Sequence, residues 1–220
     1  MSPVAASERG DERTGRARIL DAALAQFGAN GVAATSLKVI ADEAGVSPAL
    51  IVHHFGSKEG LREACDEHVA ATFRASKLEA VAQGPGLDPL AALRESSVQT
   101  QPLLRYLART LADGTPQVAA LVDEMVDDAM EYLAEGERTG LIRPSEHPRE
   151  RAAVLMLWSL GALTLHEHLE RLLGVDLLGD PEQLGPYVLP AMEVFSRGLM
   201  PEDLYERARA AFLDDKDGGS

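Results

Sequence analysis

The chain has 220 residues, 45% of them hydrophobic and 25% charged, with 5% aromatics and a net charge of −14. That length suits one large domain or a small head on a larger body, and the composition excludes fibrous and disordered classes. A single cysteine, Cys65, excludes an internal disulfide, and no Cys or His spacing suits a structural zinc, so the chain reads as a reducing, cytoplasmic protein.

Residues 1–15 are polar and lack the apolar core of a signal peptide, which predicts a flexible arm. Ile19, Leu20, Ala23, Leu24 and Phe27 then fall at helical spacing and predict a first helix over 16–30, stopped by Gly31. Thr35 stands as an N-cap before Leu37, Val39, Ile40, Ala41 and Ala44, a run of about two turns closed by Gly45. Ser47 and Pro48 are a cap and a first helical residue, opening a third short helix that ends at His53 or His54. Ser57 caps a longer helix from Lys58 to about Ala82.

The breakers over 83–89 mark a loop. Further helices are expected over 89–100, 103–112, 116–136, 148–173, 183–198 and 201–213, with a disordered tail over 214–220. No β-like alternation separates them. The expected fold is all-α: an N-terminal three-helix bundle with a helix-turn-helix over 16–69, joined to a larger helical bundle over 70–213. The longest apolar run, 152–165, is shorter than the roughly 20 residues that span a bilayer, so no membrane partner is expected.

Residues 35–61 closely resemble the DNA-binding head of the tetracycline-repressor (TetR) family. Thr35, the Ile40-Ala41 pair, Ala44-Gly45-Val46-Ser47, Ile51, Phe55 and Lys58 match it in register without insertion, over a resemblance spanning about 16–69. Local chemistry agrees. Gly45 permits a sharp turn, and Ile40, Ala41, Val46, Ile51 and Phe55 form a small core that fixes two helices at an angle. The third helix then offers Ser47, Pro48, Ala49, Leu50 and Val52 to base edges in a major groove, with His53 and His54 beside them. Thr35 and Ser36 at a helix start, and Lys58 at another, stand where backbone phosphates pass.

One departure matters: Val52 occupies the position where the family usually places a DNA-contacting tyrosine. With few side-chain donors, base reading falls to apolar contacts, Ser47, the histidine pair and DNA shape. Arg9, Arg13, Arg16 and Arg18 are expected to add phosphate or minor-groove contacts. Charge is unevenly spread. Residues 1–75 carry 8 Lys and Arg against 10 Asp and Glu, net −2, so the body holds the remaining −12.

Segment 151–165 is apolar nearly all round and calls for a second apolar partner. The resemblance implies a homodimer built from two C-terminal helices of each subunit. The candidate residues are Leu155, Trp158, Leu165 and Leu169 on one, and Leu189, Met192 and Phe195 on the other. It also implies a ligand cavity within 87–140, for which Tyr106, Leu107, Leu121, Met125, Ala129, Met130 and Tyr132 offer an apolar wall with polar tips. The effector is expected to be small and apolar or amphiphilic. Asp123, Asp127, Glu131 and Glu135, with Glu124 and Asp128 beside them, form an acidic ridge, read as a solvated face that would favour a cationic or amphiphilic ligand if part of it turned inward.

The function implied is a transcriptional regulator, a repressor that holds double-stranded palindromic operator DNA as a dimer and is released by its effector. The alternatives are an all-α enzyme or a helical protein-binding adaptor. For the enzyme, no GxSxG, phosphate loop or dinucleotide fingerprint occurs, and Cys65 lacks a local His partner. His166 and His168 stand two apart, so they do not share a helix face as a metal pair would. No catalytic residue, metal or cofactor is expected.

Overall fold

The structure, a computed structural model, describes residues 3–113 and 115–217, and every regular element among them is a helix. Helix α1 (Pro3–Asn30) begins earlier than the spacing of its apolar residues predicted, with Pro3 in the first helical position where its missing N–H costs nothing. The arm expected over 1–15 is therefore helical from Pro3 on; the side chains of Arg9 and Arg13 lie outside the described residues.

Helices α2 (Leu37–Ala44), α3 (Pro48–Phe55) and α4 (Lys58–Ala82) follow, each opened by a serine. Thr35 is not the cap of α2. Ser36 accepts the Val39 N–H at 3.3 Å, while the Thr35 hydroxyl turns inward and donates to the Gly31 carbonyl at 2.8 Å. A 3-10 turn over Gly84–Gly86 occupies the expected loop.

The body departs from expectation in two helices. Residues 89–100 and 103–112 form one helix, α5 (Pro89–Asp113), with Pro102 inside it. Pro102 gives up one backbone donor, yet Leu103, Tyr106 and Leu107 just beyond it are all buried, and that packing carries the helix through. After α6 (Pro116–Thr139), the stretch 148–173 divides into α7 (Pro148–Thr164) and α8 (His166–Leu173), bent by 74°. Hydroxyls that return to the helix's own carbonyls favour such bends: Ser159 bonds Leu155 at 3.0 Å and Thr164 bonds Leu160 at 2.8 Å. Helix α9 (Gly185–Arg197) follows, and α10 (Glu202–Asp217) runs on into the expected tail. Residues 218–220 of that tail lie outside the described residues. No single helix among the described residues is long and apolar enough to cross a membrane.

One core runs through both parts. Ile19 and Phe27 of α1, Ile40 of α2, Ile51 of α3 and Leu61 of α4 are fully or almost fully buried in the head, and the same cluster continues through Tyr106 of α5 and Met125 of α6 to Ala152 of α7. The head meets the body along two seams, α1 on α5 and α4 on α6. In the first, Gly28 lies so close to α5 that a Cβ there would stand 3.0 Å from the Tyr106 backbone nitrogen. Gly28→Val forces branched carbons against that backbone and should cost about 1–3 kcal/mol; urea denaturation of the full chain measures it.

Candidate nucleic-acid interface and effector cavity

The short helices of the head are fixed by turns that leave little slack. Gly45 adopts φ 65°, the left-handed conformation that closes α2, and the Val46 N–H reaches back to the Ala41 carbonyl at 2.9 Å. Ser47 accepts the Leu50 N–H at 3.3 Å, and Ser57 accepts the Gly60 N–H at 3.1 Å. Ile51 is fully buried, so the opposite face of α3 turns outward: Ser47, Pro48, Ala49, Val52 and His53 are exposed. No other described residue covers that face.

Several of the candidate residues have a second employment. Leu50 is half-buried and packs beside Gly15 of α1. His54 is turned into the head, its Nε2 shut away without a hydrogen-bond partner and its ring 6.2 Å from Phe55. Thr35 is buried, which removes its hydroxyl from the surface, whereas Ser36 remains exposed at the start of α2. Lys58 is half-buried, and its ammonium donates to the Ala33 carbonyl at 3.3 Å, parking the charge beside the α1–α2 loop. Arg16 lies over the Phe55 ring at 5.0 Å. Arg16, Arg18 and Lys38 are exposed and make no ion pair among the described residues, which leaves three cations free on a near-neutral head.

The body contains an apolar cavity of about 320 Å³ between α4, α5, α6, α7 and α9. Of the candidate ligand residues, Leu107, Met125 and Tyr132 line it; Tyr106, Leu121, Ala129 and Met130 do not. Leu121 and Ala129 are core, and Met130 packs on the core half-buried. Tyr106 serves the seam between head and body: its hydroxyl donates to Asp66 of α4 at 2.6 Å, and Asp66 also receives Arg62 at 2.9 Å. Burial pushes the Asp66 carboxyl above the usual carboxylate range, against the pull of the Tyr106 hydroxyl and Arg62. Cavity walls come instead from Phe73 and Lys77 of α4, and from Met156 and Leu160 of α7, which lie outside the stretch expected to form it.

A larger hollow of about 710 Å³ is an open groove along the other side of α5, where Gly28, Gln101, Pro102, Arg105 and His166 meet. Its walls are as polar as they are apolar, and it is the seam itself seen from outside. Gln101 there donates to the Leu178 and Gly179 carbonyls at 3.0 and 2.7 Å, which anchors the loop after α8 to α5. The acidic ridge of α6 faces outward and is largely paired: Asp127 with Arg149 at 2.7 Å, Glu131 with Arg74 at 2.7 Å, and Glu135 with Arg138. Asp128, beside the ridge, does line the cavity, 3.4 Å from the Arg74 Nε, while Asp123, Asp127 and Glu131 are exposed outside it.

Helices α7 and α9 leave a broad apolar face. Trp158 packs on Phe195 with ring centroids 5.0 Å apart, and both remain largely exposed, as do Leu189 and Met192. Leu165 is exposed at the bend, while Leu155 and Leu169 are half-buried, with Leu155 packed against the core. Val154 and Leu157, each 62% exposed, occupy the outward positions on α7, and the spacing argument had not singled them out.

Comparison with known proteins follows the same division of the chain. The family model for bacterial regulatory proteins of the tetR family matches residues 19–65, and the tetracyclin repressor-like C-terminal domain matches residues 99–201. The HTH-type transcriptional regulatory protein RaaS of Mycobacterium tuberculosis is 39% identical over 218 residues, covering 96% of this chain and 97% of its own. The chain belongs to the TetR family. The HTH-type transcriptional regulator AcrR of Shigella flexneri is 38% identical over 120 residues, 54% of this chain and 51% of its own. In fold, the TetR-family regulator PfmR from Thermus thermophilus matches with a TM-score of 0.50 over 84% of this chain and all of its own, at 22% identity. A linker-substituted mutant of HlyIIR matches at 0.55 over 87% of this chain and 99% of its own, at 18% identity.

TetR-family proteins are transcriptional regulators; α3 lies within the matched N-terminal region, and most of the cavity wall lies within the matched C-terminal region. Two features escaped sequence reading. Lys77 gave no signal because a lysine amid Ser76 and Leu78 reads as surface, and Tyr106 was misread because burial and a wall of a pocket ask for the same amphipathic residue. Tyr106→Phe removes the donor to buried Asp66 and should lower stability by about 1–3 kcal/mol, measured by chemical denaturation, without changing the volume of the cavity.

Proposed function

We propose that this TetR-family regulator binds a palindromic operator as a homodimer, represses by occupying it, and lets go when a small molecule fills the cavity between α4 and α9. The observation that carries this reading is the outward face of α3. Ile51 anchors the helix, and Ser47, Pro48, Ala49, Val52 and His53 are left uncovered on a helix short enough to lie in a major groove. Pro48, Ala49 and Val52 suit contact with thymine methyls, Ser47 and His53 supply the few hydrogen-bonding groups, and Ser36, Lys58, Arg16 and Arg18 meet phosphates.

Dimerisation is supported by the apolar face on α7 and α9. Val154, Leu157, Trp158, Leu189, Met192 and Phe195 are all more than 40% exposed, and burying them against a second copy removes an apolar surface that a monomer would leave in water. The pairing sets the spacing of two α3 helices along the duplex.

Coupling is carried by α4. It opens at Ser57, directly after the recognition helix, and its second half supplies Phe73 and Lys77 to the cavity. The span from Lys58 to Lys77 is about 29 Å of rigid helix, so a small tilt at the ligand end moves the head. A ligand that binds better to the tilted state lowers operator affinity by the ratio of its two affinities.

Footprinting on the DNA upstream of the chain's own gene tests the first part. Protection of a palindrome with an affinity that falls steeply with salt is the expected result. Ala49→Glu places a carboxylate against the groove and should weaken binding by about 1–3 kcal/mol or more. Leu157→Asp should yield monomers in sedimentation and lose the palindrome while the helical content stays unchanged. An absence of protection at low salt would reject the reading.

A further inference from the structure

We propose that the effector is an anionic amphiphile, an apolar chain ending in an acid head, and that Lys77 is the residue that holds the head. This rests on reading the cavity as the effector site. Most of the wall is apolar: Phe73, Leu104, Leu107, Met156, Leu160 and Val188 line it, and at about 320 Å³ it takes the apolar part of one small ligand. Two cationic side chains from α4 reach it, and they differ in what they already hold. The Arg74 guanidinium is spent, with Nε on Glu131 at 2.7 Å and 3.4 Å from Asp128. Lys77 has no hydrogen bond or ion pair among the described residues and is exposed where it lines the open cavity.

Its charge therefore faces the cavity with no counter-charge from the described residues. Desolvation by the surrounding helices holds its pKa below the ordinary lysine value. A carboxylate or phosphate head beside it would return the missing partner, and the apolar wall would take the tail. The wall contains one carboxylate among the described residues, Asp128, and Arg74 already faces it. A cationic ligand would have to compete with Arg74 for that group, whereas an anion meets a charge that no described residue satisfies. Of the α6 acids, Asp123, Asp127, Glu131 and Glu135 do not line the cavity, and Asp128, which does, lies 3.4 Å from the Arg74 Nε.

The test compares three probes with the same tail, dodecanoate, dodecanol and dodecyltrimethylammonium, each below its micelle concentration. Calorimetric titration of the full-length protein measures binding, and operator release is followed in parallel. Dodecanoate should bind on the order of tenfold tighter than the other two. Lys77→Met, which keeps the stem and removes the charge, should bring it down to the alcohol's affinity, and Lys77→Arg should keep the preference. A thermal melt of each variant verifies that it folds, and the head-group comparison in the unaltered protein stands without them. Equal affinity for the three heads, or a carboxylate preference that survives Lys77→Met, overturns the assignment to Lys77 while leaving the cavity as the effector site. Failure of all three probes to bind a protein that still protects its operator overturns the effector reading of the cavity itself.

Discussion

The angle between the head and the body depends on a contact that has no room to vary. Gly28 of α1 lies against the Tyr106 backbone of α5, the Phe27 and Tyr106 rings stand 6.4 Å apart, and the Tyr106 hydroxyl crosses to Asp66 on α4. Three helices therefore meet at one buried tyrosine. A buried carboxylate is tolerated there only because a hydroxyl and the Arg62 guanidinium both serve it, so loss of either partner leaves a charge without support. Such a joint transmits rotation instead of absorbing it: a displacement of α4 relative to α5 must either break the hydrogen bond or carry α1 along.

The head reads DNA with unusual economy. Caps at Ser36, Ser47 and Ser57 each satisfy one N–H in the first turn of three successive helices, and Ile51 is the one fully buried side chain of α3, which leaves Pro48, Ala49, Val52 and His53 exposed. With valine where the family usually has tyrosine, the outward face carries little that can form bidentate bonds. On the proposed reading, discrimination comes from methyl groups, the histidine and serine at its edges, and the cost of bending the duplex to fit two heads.

Much of this was legible in the residues because each signal was local. Gly45, Ser47-Pro48 and Ser57-Lys58 are start and stop marks that act within a turn, and the structure places α3 and α4 at the positions those marks specify. What was not legible depended on partners distant in the chain. Pro102 looked like a boundary, yet the burial of Leu103, Tyr106 and Leu107 against α1 and α4 continues the helix across it. Leu165 looked like mid-helix, yet Thr164 and Ser159 compete for its carbonyl ladder and α8 turns away by 74°. On α7 the pattern was apolar all round, so no periodicity could tell Leu155, which faces the core, from Val154 and Leu157, which face out.

The uneven charge now has a structural counterpart. Residues 76–220 carry −12, and on α6 the acids are held in place by arginines drawn from three segments: Arg74 on α4, Arg138 in the helix's own last turn and Arg149 at the start of α7. Such exposed pairs contribute little stability. On the proposed reading their consequence is directional, because an acidic body is repelled by a duplex while Arg16, Arg18 and Lys38 on the head are not, which favours an encounter that presents α3. The same pairing also neutralises Arg74 in the cavity wall. Lys77 is left as the unneutralised positive charge in that wall, and the field that an entering ligand meets is set by it rather than by the acidic surface outside.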